Sequence, residues 1–230
     1  MAKNPQKPQN IVRLERGIIS VKYKEGLEKI VPVLFEHNPN IDILSSGGTA
    51  TRIREIMGRE DAARDISEYT GVHKSPDDLV MTINHKVAAG MLMDPSIPEH
   101  AEYMAMAEIG ALPFQFAIVG LYPHAETIAK PGTTVEDARD DIDIGGDLLI
   151  RMSAKAYKRM MTLTDREQYP EAIEQLNRGK GTTTLLYRWR TAIRALRATG
   201  MYDTDIAAYM GAQKEADMLE HYGVDAFPDK

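Results

Sequence analysis

The chain contains no cysteine among its 230 residues, which excludes disulfides, thiolate zinc sites and a cysteine nucleophile. No apolar run approaches the ~18 residues of a membrane-spanning helix, and the start, MAKNPQKPQN, lacks the apolar core of a signal peptide. Basic residues are not in excess, since 28 of them stand against 34 acidic residues. These absences predict a cytoplasmic protein that binds neither membrane nor nucleic acid, because a nucleic-acid binder usually has a basic footprint.

The length of 230 residues is typical of one domain with a sizeable core. We predict a polar tail over residues 1–10, a single domain over 11–210 and an extension over 211–230. Short apolar runs alternate with stretches at helical spacing, which predicts an α/β fold with a central, mostly parallel sheet. The predicted strands are GIISV (17–21), IDILS (41–45), DISEYTG (65–71), FQFAIVGLY (114–122) and MMTLT (160–164).

Three helical stretches carry specific predictions. In EGLEKIVPVLFEHN (25–38), Pro32 should kink the helix or end it early. We predict two helices joined by Gly145 and Gly146 in the stretches TVEDARDDIDIGG and DLLIRMSAKAY (134–157). Residues 182–209 are predicted to be helical throughout, with a basic stripe that we interpret as a solvated face: Arg190, Arg194 and Arg197.

Ligands of a parallel sheet bind outside the carboxyl ends of its strands, and two loops there have an anion-binding composition. SSGGT (45–49) leads into a helix start, where glycines let N–H groups approach a phosphate while Ser46 and Thr49 add hydroxyls. SVKYKEG (20–26) brings Lys22 and Lys24 to the same edge. Taken singly, the first also fits a tight turn and the second an ordinary loop. Side by side, they favour a phosphate site.

Three further side chains are candidates for chemistry. Tyr122 ends the strongest predicted strand and can donate a hydrogen bond, although tyrosines there are often core or interface residues. Asp143 and Lys155 bracket an apolar run, and a straight helix over 147–155 would span ~12 Å. They could flank a heterocycle, or they could simply match the dipole of a helix. The histidines have no metal-ligand spacing, so we predict no metal site.

Taken together, these residues resemble the inosine monophosphate (IMP) cyclohydrolase domain of the bifunctional purine-synthesis enzyme, which also carries a transformylase. The resemblance runs in order from about Gly17 to Met210. It rests on ISVKYKEG, SSGGTA, SEYTG, VGLYP, IAKPGTT, IDIGG, RMSAK and YDTDIAAYM. The combination of AKPGTT, IDIGG and Arg-x-x-x-Lys is quite specific, whereas the glycine loop alone is not.

The resemblance implies a methylglyoxal-synthase-like three-layer fold, a homodimer and no cofactor. The implied reaction closes 5-formamidoimidazole-4-carboxamide ribotide to IMP and releases water. Catalysis would fall to Tyr122, Asp143 and Lys155. The ribotide would be bound by Ser20, Lys22, Tyr23, Lys24, Ser46, Gly47, Gly48, Thr49, Thr82, Val119, Gly120 and Ile144. Since the transformylase half is not present in this sequence, we expect a separate formyltransferase to supply the formylated substrate.

The chain departs from the family after SEYTG. Where family members have Arg-Val-Lys-Thr-Leu-His-Pro, this sequence has LVMTINH, so Leu79 and Met81 replace the arginine and the lysine while Thr82 remains. That lysine is implied to stabilise an oxyanion, and methionine cannot donate a hydrogen bond. A donor lost there costs ~3 kcal/mol of catalysis unless Lys74, His85 or Lys86 substitutes.

Two functions therefore stay open from the sequence. Retention of Tyr122, Asp143 and Lys155 favours a stand-alone IMP cyclohydrolase. The run LVMTINH favours a binding module that senses a purine ribotide without converting it. A methylglyoxal synthase ranks last, because its acid and histidine pair is not evident.

Overall fold

A parallel sheet of five strands forms the middle layer of the computed structural model, which describes residues 8–72 and 82–224. The strand order is β4-β3-β2-β5-β6, and every neighbouring pair is parallel. The strands are β2 (Arg16–Val21), β3 (Asp42–Ser45), β4 (Arg64–Asp65), β5 (Phe116–Gly120) and β6 (Met161–Leu163). A separate antiparallel pair joins β1 (Ile11–Arg13) to β7 (Thr182–Thr184).

Helices cover both faces of this sheet. They are α1 (Leu27–His37), α2 (Gly47–Met57), α3 (Ile66–Thr70), α4 (His85–Leu92), α5 (Pro98–Ala105), α6 (His124–Ile128), α7 (Val135–Asp140), α8 (Ile144–Lys155), α9 (Tyr169–Gly179), α10 (Leu185–Ala212) and α11 (Glu215–Tyr222). Helices α1, α2 and α9 pack on one face, against Ile19 and Ile118. Helices α3, α4, α8 and α10 pack on the other, against Ile18 and Ala117.

The alternation along the strands explains these two cores, because successive side chains of a strand point to opposite faces. Ile18 and Ile19 are both fully buried, yet each belongs to a different core. A strand covered on both faces reads as a continuous apolar run, which is what GIISV and FAIVG show. The predicted α/β fold with three layers and a mostly parallel sheet is confirmed.

Several element predictions are wrong. DISEYTG contributes only Asp65 to strand β4, since the Asp65 side chain accepts the Ser67 N–H and starts helix α3. Residues 182–184 form β7 instead of helix, because this run of three threonines, a β-branched residue, pairs with β1. Of the two effects predicted for Pro32, the early end of the helix does not occur, since α1 continues through Pro32 to His37. Gly145 and Gly146 lie inside the first turn of α8, and do not link two helices.

Candidate functional site

A cavity of about 420 Å³ opens at the carboxyl ends of β2 and β5, beside the starts of α2 and α8. Predicted residues form most of its wall: Ser20, Lys22, Lys24, Ser46, Gly47, Gly48, Thr49, Thr82, Gly120, Tyr122, Asp143 and Ile144. They come from five separate stretches of the chain, and the sheet brings them together. In particular, β2 and β5 pair Ser20 with Val119 and Val21 with Gly120, which places the first lysine loop beside the Tyr122 loop.

One end of the cavity is the start of helix α2. Ser46 is its N-cap residue but makes no capping hydrogen bond with its side chain, and the first turn carries no acidic residue. Gly47 adopts φ 50°, a left-handed conformation that glycine accepts without strain. The first N–H groups of a helix lack intrahelical partners and attract anions. This end therefore suits a phosphate.

Thr49 has a structural role in the same loop. Its hydroxyl is buried, donates to the Val21 carbonyl at 3.0 Å and accepts the Val21 N–H at 3.4 Å. These bonds tie the start of α2 to the end of β2. The hydroxyl donor that the sequence assigned to a phosphate is thus engaged within the fold, so Thr49 has its main-chain N–H to offer a ligand.

Two ammonium groups stand opposite this helix start. Lys24 donates from Nζ to the carbonyls of Val21 and Lys22, at 2.7 and 2.8 Å. Burial and, next, the neighbouring Lys22 charge lower the pKa of Lys24. A bound phosphate would relieve that repulsion, because an anion favours the charged form of a lysine. The Lys22 ammonium lies 4.6 Å from the centre of the Tyr122 ring, a cation–π contact that links both loops.

The other end of the cavity is the start of helix α8, where Asp143 is the N-cap. Its carboxylate accepts the Gly146 N–H at 2.6 Å. The pKa of this carboxyl is raised, mainly by burial and to a smaller extent by the Asp141 charge. Hydrogen bonds from the Gly146 and Tyr122 N–H groups act in the opposite direction and lower the pKa. A carboxylate with a raised pKa is a better proton acceptor than an exposed one.

The two glycines of IDIGG are required by close contacts at this point. A Cβ on Gly146 would lie 2.4 Å from the Asp143 Oδ2, so any larger residue would displace the carboxylate. A Cβ on Gly145 would lie 2.6 Å from the Thr82 Oγ1. Glycine therefore lets both Asp143 and Thr82 approach the start of α8.

Three predicted residues lie apart from this cavity. Val119 is 1% exposed, its side chain belongs to the core, and it lines a neighbouring cavity instead of this one. Tyr23 lines a neighbouring cavity of about 340 Å³ and donates its hydroxyl to Glu126 at 2.5 Å. That neighbouring cavity shares Val21, Lys22 and Gly120 with the first.

Lys155 is at the far end of α8 from Asp143. It lines a groove of about 480 Å³ between α8 and α10, together with Leu92, Trp189 and Leu196. Twelve residues of helix rise by roughly 18 Å, and helix α8 starts three residues earlier than the span we measured from the sequence. The structure thus brings Tyr122 and Asp143 together and leaves Lys155 in another cavity.

Leu79 and Met81, which replace the family arginine and lysine, and the proposed substitute Lys74 lie outside the described residues, since all three fall within 73–81. Two proposed substitutes for the lost lysine are described, and both face elsewhere. The His85 ring bonds the Tyr103 hydroxyl at 2.7 Å, and the Lys86 ammonium lies 4.7 Å from the centre of the Tyr69 ring.

Sequence reasoning missed five residues of the cavity wall: Val21, Asp140, Ile142, Gly145 and Gly146. All of them adjoin or lie within motifs already singled out, so widening each motif by its flanking residues would have found them.

Over residues 8–72 and 82–224, no group of three or more His, Asp or Glu side chains is arranged to hold a metal ion. In the same part of the chain, no helix is long and apolar enough to cross a membrane.

The fold and the cavity define a class: a three-layer α/β protein whose cavity, at the carboxyl edge of the sheet, combines a helix start suited to an anion with a half-buried carboxylate. A family described as the AICARFT/IMPCHase bienzyme matches residues 153–227, which supports an IMP cyclohydrolase-like domain. The match confirms the resemblance seen in the sequence. It contains Lys155 and α10, but none of the residues that line the site cavity.

A solved structure adds support for the fold. The crystal structure of ForH is similar to this chain with a TM-score of 0.73 at 24% sequence identity, over 86% of this chain and 97% of that one. At 24% identity this similarity supports the fold alone, and the fold it supports agrees with the three layers described above.

Proposed function

We propose that this chain is a stand-alone IMP cyclohydrolase that acts in the cytoplasm on 5-formamidoimidazole-4-carboxamide ribotide. The observation that carries the proposal is that one cavity is lined by the start of helix α2 with Lys22 and Lys24 and also by Asp143 and Tyr122. A ribotide needs both sets of groups, because its ribose joins a phosphate to a reactive heterocycle. The family match supports a purine-biosynthesis-related domain.

In the proposed mechanism, the helix start of α2 and the two lysines hold the phosphate. The carboxamide nitrogen attacks the formyl carbon and forms the new C–N bond, while Asp143 accepts a proton from that nitrogen. The Tyr122 hydroxyl donates to the oxygen as its charge develops. Asp143 then returns this proton to the oxygen, which becomes a hydroxyl group on the closed ring. The formamido nitrogen loses its own proton as the C–O bond breaks, so the ring double bond forms and the hydroxyl group leaves with that second proton as water. Every step balances without a cofactor.

The resemblance alone implies that Lys155 is a catalytic residue, and the Lys155→Ala variant tests that role. We assign the reacting groups within the cavity to Asp143 and Tyr122, because Lys155 lines the α8–α10 groove. The formyl group of the substrate has to be installed by a formyl-transfer reaction, since ring closure only consumes it.

We also propose a homodimer, as the resemblance implies. The α8–α10 groove and the exposed apolar side chains beside it offer a surface that a second copy could cover. Nucleic acid is not a proposed partner, because the chain carries a formal charge of −6.

The alternative is a sensor that binds a purine ribotide without turnover. The replacement of the family lysine by Met81 favours it, because the oxyanion then loses a charged donor.

One assay separates the two functions. Purified protein is mixed with the formylated ribotide, and the absorbance change on ring closure is followed beside the uncatalysed reaction. We expect a clear acceleration. IMP binding by calorimetry without any acceleration would contradict the enzyme and support the sensor, and absence of both would contradict the ribotide site altogether.

A further inference from the structure

We infer that Tyr202 on helix α10 is a positioning residue for Asp143. The Asp143 main-chain N–H donates to the Tyr202 hydroxyl at 2.9 Å, and that hydroxyl donates to the Asp141 carbonyl at 3.3 Å. These bonds connect positions about sixty residues apart in the chain. The inference rests on the proposed function, because it assigns Tyr202 a role through the carboxylate that we place at the reacting atoms.

The two bonds act in the connection between α7 and α8, beside a bond from the Ile142 N–H to the Arg139 carbonyl and one from the Thr127 hydroxyl to the Asp141 carboxylate. Asp143 is the N-cap of α8, so its N–H lies outside the helical hydrogen-bond ladder. The short connection from α7 to α8 carries Ile142 and Asp143, both of which line the cavity. A single hydroxyl that accepts from one end of this connection and donates to the other fixes the entry into α8, and with it the direction of the carboxylate.

The hydroxyl is well suited to hold both bonds at once. Burial raises the pKa of Tyr202 to about 12, so the hydroxyl keeps its proton at neutral pH and remains a donor. Its ring is half-buried and packs edge-on against His124, with the ring centres 6.4 Å apart. The side chain therefore has little freedom to leave this position.

Helix α10 supports the Tyr122 side of the cavity in the same way. His124 is 2% exposed, and its N–H donates to the Tyr122 carbonyl at 2.9 Å. The His124 ring packs against Tyr202 and also against Tyr209, one ring on each of two turns of α10. Both segments that carry the proposed reacting groups are thus held by the second half of one helix.

The test compares Tyr202→Phe with Tyr209→Phe. Both tyrosines pack on His124, but the Tyr209 hydroxyl makes no hydrogen bond with other described residues, so the two variants differ in the bonds to Asp141 and Asp143. We expect Tyr202→Phe to lower kcat about tenfold while IMP affinity changes less than about twofold, because the phosphate end is untouched. Tyr209→Phe should have the same kcat and the same IMP affinity as the unchanged protein.

A second readout does not depend on turnover. The pKa of the Asp143 carboxyl is measured by NMR titration of the ligand-free protein, and Tyr202→Phe should shift it while Tyr209→Phe should not. An unchanged kcat together with an unchanged Asp143 pKa overturns the inference while the proposed function stands. If the unchanged protein accelerates no ring closure and the pKa still shifts, the positioning role stands while the proposed function fails.

Thermal unfolding of both variants serves as the control that they fold. Should Tyr202→Phe fold poorly, amide exchange in the unchanged protein replaces it. We expect the Asp143 amide to exchange slowly, since its N–H is bonded to Tyr202, and fast exchange at that amide overturns the inference.

Discussion

At the scale of single residues, the carboxyl that we propose as the proton acceptor, Asp143, destabilises the fold when it is ionised. Its raised pKa means that the folded state holds the proton more tightly than the unfolded chain. The stabilisation from that proton is complete below the ordinary carboxyl pKa of about 4, and it is lost as pH rises through the higher folded value. At neutral pH the ionised, half-buried Asp143 therefore destabilises the fold.

Asp143→Asn should remove both this destabilisation and the activity. We expect turnover to fall by about 100-fold or more, because an amide cannot accept the proton. The free energy of unfolding at pH 7 should equal or exceed that of the unchanged protein, and the difference should shrink near pH 4. Urea unfolding at both pH values and the ring-closure assay measure the two effects. A loss of stability at pH 7 would contradict our account of the raised pKa.

Asp140→Asn is the matched control, since Asp140 lines the same cavity but forms an ion pair with Arg139. This pair is exposed, so its loss should cost little. Turnover should stay within a few-fold of the unchanged protein. A loss as large as that of Asp143→Asn would show that the assay reports the charge of the cavity and not a proton acceptor.

Lys155→Ala tests the residue that the structure leaves apart. Because Lys155 lines the α8–α10 groove, we expect the variant to retain most of its turnover and its IMP affinity. The ring-closure assay and calorimetry decide. Abolished turnover with unchanged affinity would instead support the catalytic role implied by the resemblance, and would require a different placement of this lysine in the working protein.

At the scale of elements, a substitution at the start of α2 can separate the effect on anion binding from the effect on stability. An alanine at Gly48 would place its Cβ 3.7 Å from the Lys24 Cε, an ordinary contact. Stability should therefore stay within about 1 kcal/mol of the unchanged protein, while the added methyl group keeps a phosphate away from the helix start. We expect IMP affinity to fall about tenfold by calorimetry.

Gly58→Ala is the comparison at the other end of α2. Gly58 has φ 64° with open space around it, so the substitution should cost about 1 kcal/mol of backbone strain. IMP affinity should not change, since Gly58 is not part of the cavity wall. A weaker affinity in Gly58→Ala than in Gly48→Ala would mean that helix stability, and not space for the ligand, governs binding.

The elements also show how far sequence reasoning reaches. Strands buried on both faces and the loops after them were predictable, because apolar runs and glycine loops follow from local chemistry. DISEYTG was misassigned because the capping bond of Asp65 outweighs β-branched composition. The β7 strand was missed because its partner lies more than 160 residues away in the chain. Tyr202 was not foreseen for the same reason, as no local pattern records a contact across 59 residues.

At the scale of the whole molecule, helix α10 leaves several of its large apolar side chains exposed. Its buried side includes Arg188, which is fully buried and donates to the main-chain carbonyls of Tyr157, Lys158 and Thr183. Leu186, Trp189 and Leu196 are 56%, 46% and 48% exposed. Large apolar side chains grouped on a surface mark an interaction site. The groove beside them, lined by Leu92 and Trp189, continues the same surface.

The proposed homodimer should therefore depend on this face of α10. Leu196→Glu places a charge where apolar side chains would meet, and we expect it to convert a dimer to a monomer in light scattering coupled to size-exclusion chromatography. Ala207→Glu adds the same charge at an exposed position of the same helix outside the groove, and should leave the dimer intact. If Leu196→Glu remains dimeric, the copies meet elsewhere. A monomeric unchanged protein at all concentrations would contradict the homodimer itself.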